Sequence, residues 1–241
     1  MGKLCVDQLA SRLVSLFKET DPNNIDEAVR QAKNQQVTEA KQVKRKDLDR
    51  LFDSQITTLK ERNVPEQILG VFRNNKDKVL NHAESTPVAE GNLALAPVIT
   101  PLYLGYHGYH GLASLVRYKD KQGYVYIDPR QITDIEKVSS VLYYMFDIED
   151  GTAMRGKNLE DSGKLIVKQG RLHAVTTEVL SIGVHIDVLS RHYVHAVGSR
   201  YGSDGTPGLY LDDDGPRLDW GYLAGAGDRW GAASCGSRLG L

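Results

Sequence analysis

Three features of the 241-residue sequence predict an α+β fold. Apolar residues recur at three- and four-residue spacing as far as Glu84, a stretch broken by proline and glycine follows, and short aromatic or β-branched runs then alternate with turn signals. The expected architecture is an N-terminal helical segment followed by a mixed, largely antiparallel sheet with one or two covering helices. Its expected divisions are a helical region over 1–84, a linker over 85–101 and an α/β domain over 102–241.

The helices come first. Leu9, Leu13, Leu16 and Phe17 stripe one face of a helix over residues 4–17, which Asp21-Pro22 ends. Ile25, Ala28, Val29 and Ala32 continue the pattern weakly into a polar stretch, so a second helix is expected to be solvated or to lean on a partner. A third, over 48–59, carries Leu48, Leu51, Phe52, Ile56 and Leu59 on one side. Pro65 suits the first turn of a fourth, where its missing N–H costs nothing, with Ile68, Leu69, Phe72, Val79 and Leu80 on the buried side.

Beyond the linker the expected strands cover 112–118 and 123–127, joined as a hairpin through Lys119-Asp120-Lys121-Gln122, and then 141–148. A helix is expected over 176–185, capped by Thr176 or Thr177 with Val179 and Leu180 facing inward. A strand over 192–197 follows. Strands over 209–211 and 217–222 flank the turn Asp212-Asp213-Asp214-Gly215-Pro216. Of 23 glycines, 11 lie between Gly198 and Gly240, a density that predicts tight turns or close backbone approach, to other backbone or to a ligand.

Composition narrows the function classes. Hydrophobic residues at 41% and charged residues at 25% describe an ordinary globular protein, and a formal charge of -1 gives no footprint for nucleic acid or membrane. Neither half is strongly polarised. Lys3, Asp7 and Arg12 interrupt what would be the apolar core of a signal peptide, and no run approaches the ~20 apolar residues of a membrane span. Cys5 and Cys235 at opposite ends read as reduced thiols, and the expected location is cytoplasmic.

Several residues carry chemistry. His107 and His110 have a spacing that a metal could use, but no third ligand follows before Asp120; His192 and His195, three apart on a strand, would face opposite ways. No metal and no cofactor are expected. The Asp212–Asp214 run lacks the alternating oxygen ligands and closing glutamate of a calcium loop. Cys235 is a candidate nucleophile, with Arg229 and Arg238 near it in sequence and His195 or His173 as the base. Arg200 and Arg238 each end a Gly-Ser-Arg tripeptide. Either these guanidinium groups meet a carboxylate or phosphate, or they pair internally with acids such as Asp219 or Asp228. Ser199, Arg200, Trp220, Asp228, Trp230, Ser234 and Arg238 are the candidate ligand-binding set.

Residues from about 124 to 238 also carry a recognisable series: Tyr144-Met145-Phe146-Asp147-Ile148-Glu149-Asp150-Gly151, then Gly170-Arg171, Thr176-Thr177-Glu178, Gly198-Ser199-Arg200, Pro207, Gly215-Pro216 with Leu218 and Trp220, and finally Trp230, Ala233-Ser234-Cys235 and Arg238. This series resembles an uncharacterised bacterial family, a domain of unknown function, over about half the chain. The chain departs from that pattern at Asp228-Arg229, where a histidine is expected before Trp230, and at Asp204-Gly205-Thr206, where Asp-Arg-Val is expected before Pro207. The resemblance implies a fold unit and a focus near the C-terminus, and no activity.

The leading expectation is a binding or regulatory protein that recognises a partner protein or a small anionic ligand at its glycine-rich C-terminal region. One alternative is a cytosolic Cys-dependent transferase or hydrolase using Cys235. The other is an assembly protein that forms homo-oligomers through its N-terminal helices.

Overall fold

The computed structural model describes residues 41–103 and 108–241, which leaves the expected helix over 4–17 and most of the second outside the described residues. Three helices open the described part: α1 (Arg45–Glu61), α2 (Glu66–Asn74) and α3 (Lys76–Ser85). The stripe over 48–59 lies inside α1 as expected, with Leu48, Phe52, Ile56 and Leu59 buried. The expected fourth helix is divided in two at Asn75, whose amide donates back to Phe72 O and whose side chain donates to Val71 O.

The stretch expected to be a linker is part of the core instead. It contains strand β1 (Leu93–Val98), buried from Ala94 onward. Three prolines and a glycine made it read as a connector, but Pro97 is tolerated because β1 is an edge strand. Its outer carbonyls are taken by side chains: Gln55 Nε2 donates to Leu95 O at 2.7 Å and Ser181 Oγ to Pro97 O at 2.6 Å. β1 pairs antiparallel with β6 (Tyr143–Ile148), which pairs in turn with β14 (Ser237–Gly240). Every residue of β6 is buried. Tyr144 stacks on Phe52 at 5.7 Å between centroids and meets Phe72 edge-on at 5.5 Å, so α1–α3 and the small sheet share one core.

The next expectation also fails. Residues 112–118 are not a strand: α4 (Gly108–Leu115) runs through most of them, and only β2 (Arg117–Tyr118) and β3 (Lys121–Gln122) form the hairpin, turning at Lys119-Asp120. Leu112, Ala113 and Leu115 are buried at helical spacing, and Val116 was the one β-branched residue in the run. β4 (Tyr124–Val125) leaves that hairpin and joins the main sheet as its edge.

The main sheet adds β5 (Ile132–Asp134), β8 (Tyr193–His195), β9 (Ser199–Tyr201), β10 (Gly205–Asp212), β11 (Gly215–Tyr222) and β12 (Trp230–Ala232). Its path is β12-β8-β10-β11-β4, with β9 and β5 branching from β10. The long β10–β11 hairpin is the expected one, extended to begin at Gly205. Register divides its residues between two faces. Val194, Leu209 and Leu218 align inward beneath α6 (Thr176–His185), while Tyr193, His195, Gly208, Tyr210, Arg217 and Tyr124 fall on the outer face.

One helix goes unmarked by the sequence reading. α5 (Leu159–Lys168), capped by Asn158 whose Oδ1 accepts from Asp161 N, buries Leu159 and Ile166 in a second small cluster with Met154, Val197 and Ala232. β7 (Leu172–His173) and β13 (Ser234–Cys235) then pair between the two sheets. No helix among the described residues is long and apolar enough to cross a membrane.

Candidate functional site

The N-terminus of α6 gathers several of the residues singled out by sequence. Arg238, from β14, donates from Nε to Glu178 Oε1 at 2.6 Å and from Nη2 to Glu178 Oε2 at 2.9 Å, with a further bond from Nη2 to His173 O. Glu178 is wholly buried and also accepts from Val175 N. Burial alone would lower the Arg238 pKa, but the bond to Glu178 outweighs it and holds the guanidinium charged. Arg238 therefore pairs internally, though with neither acid expected. Asp219 is taken by Arg217 at 2.8 Å, and Asp228 contributes its carbonyl oxygen to Arg155.

Ser199 is also committed to the fold. Its hydroxyl donates to Asp134 Oδ1 at 2.5 Å and accepts from Thr176 N at 2.9 Å, which satisfies one of the amides left open at the start of α6. Neither Thr176 nor Thr177 is the cap, because Val175 occupies that position. Ser234 Oγ accepts from Arg171 Nε at 2.8 Å, and Arg171 pairs with Asp147, a non-glycine residue at φ 50°. Asp147 Oδ1 accepts from Ala89 N and Asn92 Nδ2, so the surrounding bonds hold this conformation in place.

Cys235 and His195 do not form a dyad. Cys235 has no exposed surface, and burial, reinforced by Glu178, pushes its thiol up to about 12 against the pull of Arg238 and Arg171. A thiol so placed is protonated at neutral pH and is a poor nucleophile. His195 sits on β8, its ring 4.8 Å from Trp230 and 5.3 Å from Tyr210, with Nε2 at 2.7 Å from Tyr210 Oη. Burial pushes it down to about 3, so it is neutral. Among the described residues no hydrogen bond joins it to Cys235. His173, the other candidate base, holds Glu136 through Nδ1 and Gly163 O through Nε2.

The glycine-rich tail serves aromatic rings of the chain itself. A Cβ at Gly225 would lie 2.7 Å from the Trp230 ring, and one at Gly221 3.0 Å from it, so the indole rests directly on backbone. Trp220 is seated similarly against Gly205, between Tyr201 at 5.5 Å and Tyr222 at 4.7 Å. Asp212 closes the β10–β11 turn by accepting from the amides of Asp214 and Gly215. Arg200 donates to Val197 O and Ser199 O, and among the described residues no carboxylate lies within ion-pair distance of it. His107 lies outside the described residues, and no three His, Cys, Asp or Glu among the described ones are grouped to hold a metal.

What the sequence reading missed is on the outer face of the main sheet. The Arg229 guanidinium lies over the Tyr193 ring at 4.5 Å, Tyr193 packs on Tyr210 at 5.1 Å, and Arg217 sits 6.0 Å from Tyr210 and 5.0 Å from Tyr126. Arg217 is matched by Asp212 and Asp219, whereas Arg229 is exposed and has no carboxylate partner among the described residues. Beside Arg229, exposed Arg155 bonds only the Asp228 carbonyl among the described residues, and Arg191 pairs with Asp150. Tyr126 is 66% exposed. The available signal was two-residue alternation, which places Tyr124 with Tyr126 and Tyr193 with His195 on common faces. No family model, curated protein or solved structure matches the chain, so the resemblance noted above adds no weight to the site.

Proposed function

We propose that the chain is a binding protein that recognises an anionic group at the corner formed by Arg155, Arg191 and Arg229, of which Arg229 belongs to its glycine-rich C-terminal region. The observation that carries this reading is Arg229, an exposed guanidinium placed 4.5 Å from the centre of the Tyr193 ring with no carboxylate partner among the described residues. The ring contact holds the guanidinium in place, and a guanidinium so held suits a carboxylate or phosphate. Arg155 lies alongside, and among the described residues its only hydrogen-bond acceptor is the Asp228 carbonyl. The residues first expected to do this work are already used: Arg238 by Glu178, Ser199 by Asp134 and Ser234 by Arg171.

Thermal unfolding in the presence of inorganic phosphate, acetate or citrate tests the reading, because a ligand that binds only the folded chain raises its melting temperature. The rise should shrink in Arg229→Ala and vanish in the Arg155→Ala, Arg229→Ala double variant. Both side chains are exposed, so neither change should disturb the fold. No rise with any anion, or a rise that survives in the double variant, would remove the basis for the proposal.

A further inference from the structure

Beneath the arginine corner lies a histidine that shares a carboxylate with it. His192, fully buried just before β8, brings Nε2 to 3.0 Å from Asp150 O and 3.9 Å from Asp150 Oδ1. The carbonyl can only accept, so Nε2 carries the ring hydrogen and a second proton must go to Nδ1. Nδ1 is covered and has no hydrogen-bond partner among the described residues. Asp150 holds Arg191 through its other oxygen, Oδ2, at 2.7 Å. The two ends of that ion pair are not held alike. Thr152 pins Asp150 Oδ1 with its amide at 3.1 Å and its hydroxyl at 2.6 Å. The Arg191 side chain is 46% exposed, and its one further bond is a long one to Asp187 O at 3.3 Å. Arg191 is therefore the member that can leave.

Electrostatics ties the ring to the corner. Burial lowers the His192 pKa, Asp150 raises it, and Arg191 and Arg155 lower it again. Burial raises the Asp150 carboxyl, but Thr152 and Arg191 outweigh it and hold it below its ordinary value, so it is charged. The other titratable or charged groups around the ring are Glu149, raised chiefly by burial, His195, neutral through burial, and Arg229 on the adjoining Tyr193. Asp150 thus meets Arg191 as a bound anion would. We infer that Asp150 is an internal competitor for Arg191, and that a proton on His192 draws the carboxylate away and tightens anion binding at the corner. The inference rests on the anion-recognition reading above and adds its regulation. Two routes give the same sign. An anion that cancels the charge of Arg155 and Arg191 removes what disfavours the imidazolium. An anion that takes Arg191 leaves the Asp150 carboxylate to the ring. Each makes protonation easier once the anion is bound, so by linkage each makes the anion bind more tightly in acid.

The test is sulfate binding to the full chain, since sulfate keeps its double charge while histidine titrates. Its affinity by calorimetry should rise about three- to ten-fold from about pH 7.5 to about pH 5.5, the scale of one charge gained a few ångströms away in partly solvated surroundings. Asp150→Asn should bind sulfate tightly at both values, because Arg191 has lost its competitor. His192→Gln, whose amide can still donate to Asp150 O, should bind weakly at both. Asp228→Asn, which removes an exposed acid next to Arg229 in sequence, should keep the full pH response. The ring also reports without any substitution: the NMR titration midpoint of His192 should move up when sulfate is added. Sulfate binding that ignores pH, a pH response that survives in His192→Gln, or a midpoint that sulfate leaves in place would overturn this inference and leave anion recognition standing. Absence of sulfate binding at either pH would remove both.

Discussion

A histidine sealed beneath two aromatic rings destabilises the fold whenever it must take up a proton. His195 is neutral, with its folded value pushed to about 3 by burial, against an unfolded value of about 6.5. Below the unfolded value the unfolded chain binds the extra proton and the folded chain does not, so stability falls as pH drops from about 6.5 towards 3. At 1.36 kcal/mol per pH unit the full loss approaches about 5 kcal/mol, comparable with the whole net stability of a small domain. His185, also about 3 through burial and the nearby Arg62, acts in the same direction. Asp134 and Glu149, raised chiefly by burial, act in the opposite one and offset part of it. The melting temperature should therefore fall between pH 7 and pH 4.5, and His195→Gln should show a smaller fall from a lower starting point. An unchanged fall in that variant would assign the acid sensitivity to other groups. The Cys235 thiol gives a second residue-scale expectation. In a Cys5→Ser background it should resist a thiol-reactive disulfide at pH 7 until denaturant is added, since burial keeps it protonated and covered. Rapid stoichiometric labelling of the native chain would revive the nucleophile reading. Residue types at both positions were plain in the sequence; their surroundings were not, because Trp230, Tyr210 and Glu178 reach them only through the fold.

At the level of elements, the join between β14 and α6 depends on one ion pair. Arg238→Ala would leave Glu178 fully buried without its cation and should cost about 3–5 kcal/mol in urea unfolding. Adding Glu178→Gln should recover part of that loss, because the stranded charge is then gone; a double variant as unstable as the sum of its parts would argue against the pair. The elements themselves were unevenly legible. α6 was read to the residue, since its apolar run starts after Ala174-Val175 and ends before Asp187. β6 was read almost as well, because the uninterrupted apolar and aromatic run from Val141 to Phe146 fits a doubly covered strand. β1 was hidden by Pro97 and the prolines flanking it, because whether a strand tolerates proline depends on edge position, and edge position is a property of the sheet. α4 was hidden by the glycines at its start. α5 carries a glycine at position 163 and only a partial apolar stripe, so tertiary burial of Leu159 and Ile166 decides it where local preference does not.

For the whole molecule, the place where the chain can be cut separates the two readings of its architecture. Apolar periodicity suggested a boundary near Glu84, yet residues 42–241 form one compact unit in which α1–α3 cover the β6 sheet. Leu48, Phe52, Leu69, Phe72, Val79 and Leu80 are each at most 1% exposed there. At about 1.5–3 kcal/mol for each buried side chain, losing their contacts removes roughly 9–18 kcal/mol, as much as the whole net stability of about 5–15 kcal/mol that a folded domain holds. The cut also bares Tyr144 and Phe146, whose rings pack on Phe52, Phe72 and His82. A fragment of residues 42–241 should thus unfold cooperatively on heating, with sharp near-ultraviolet circular dichroism from Trp220 and Trp230. A fragment of residues 85–241 should lack both the cooperative transition and the near-ultraviolet signal, and should bind a hydrophobic dye. If the shorter fragment melts as sharply as the longer one, the helices are an appendage after all. The shared core around Tyr144 would then contribute far less than its burial implies.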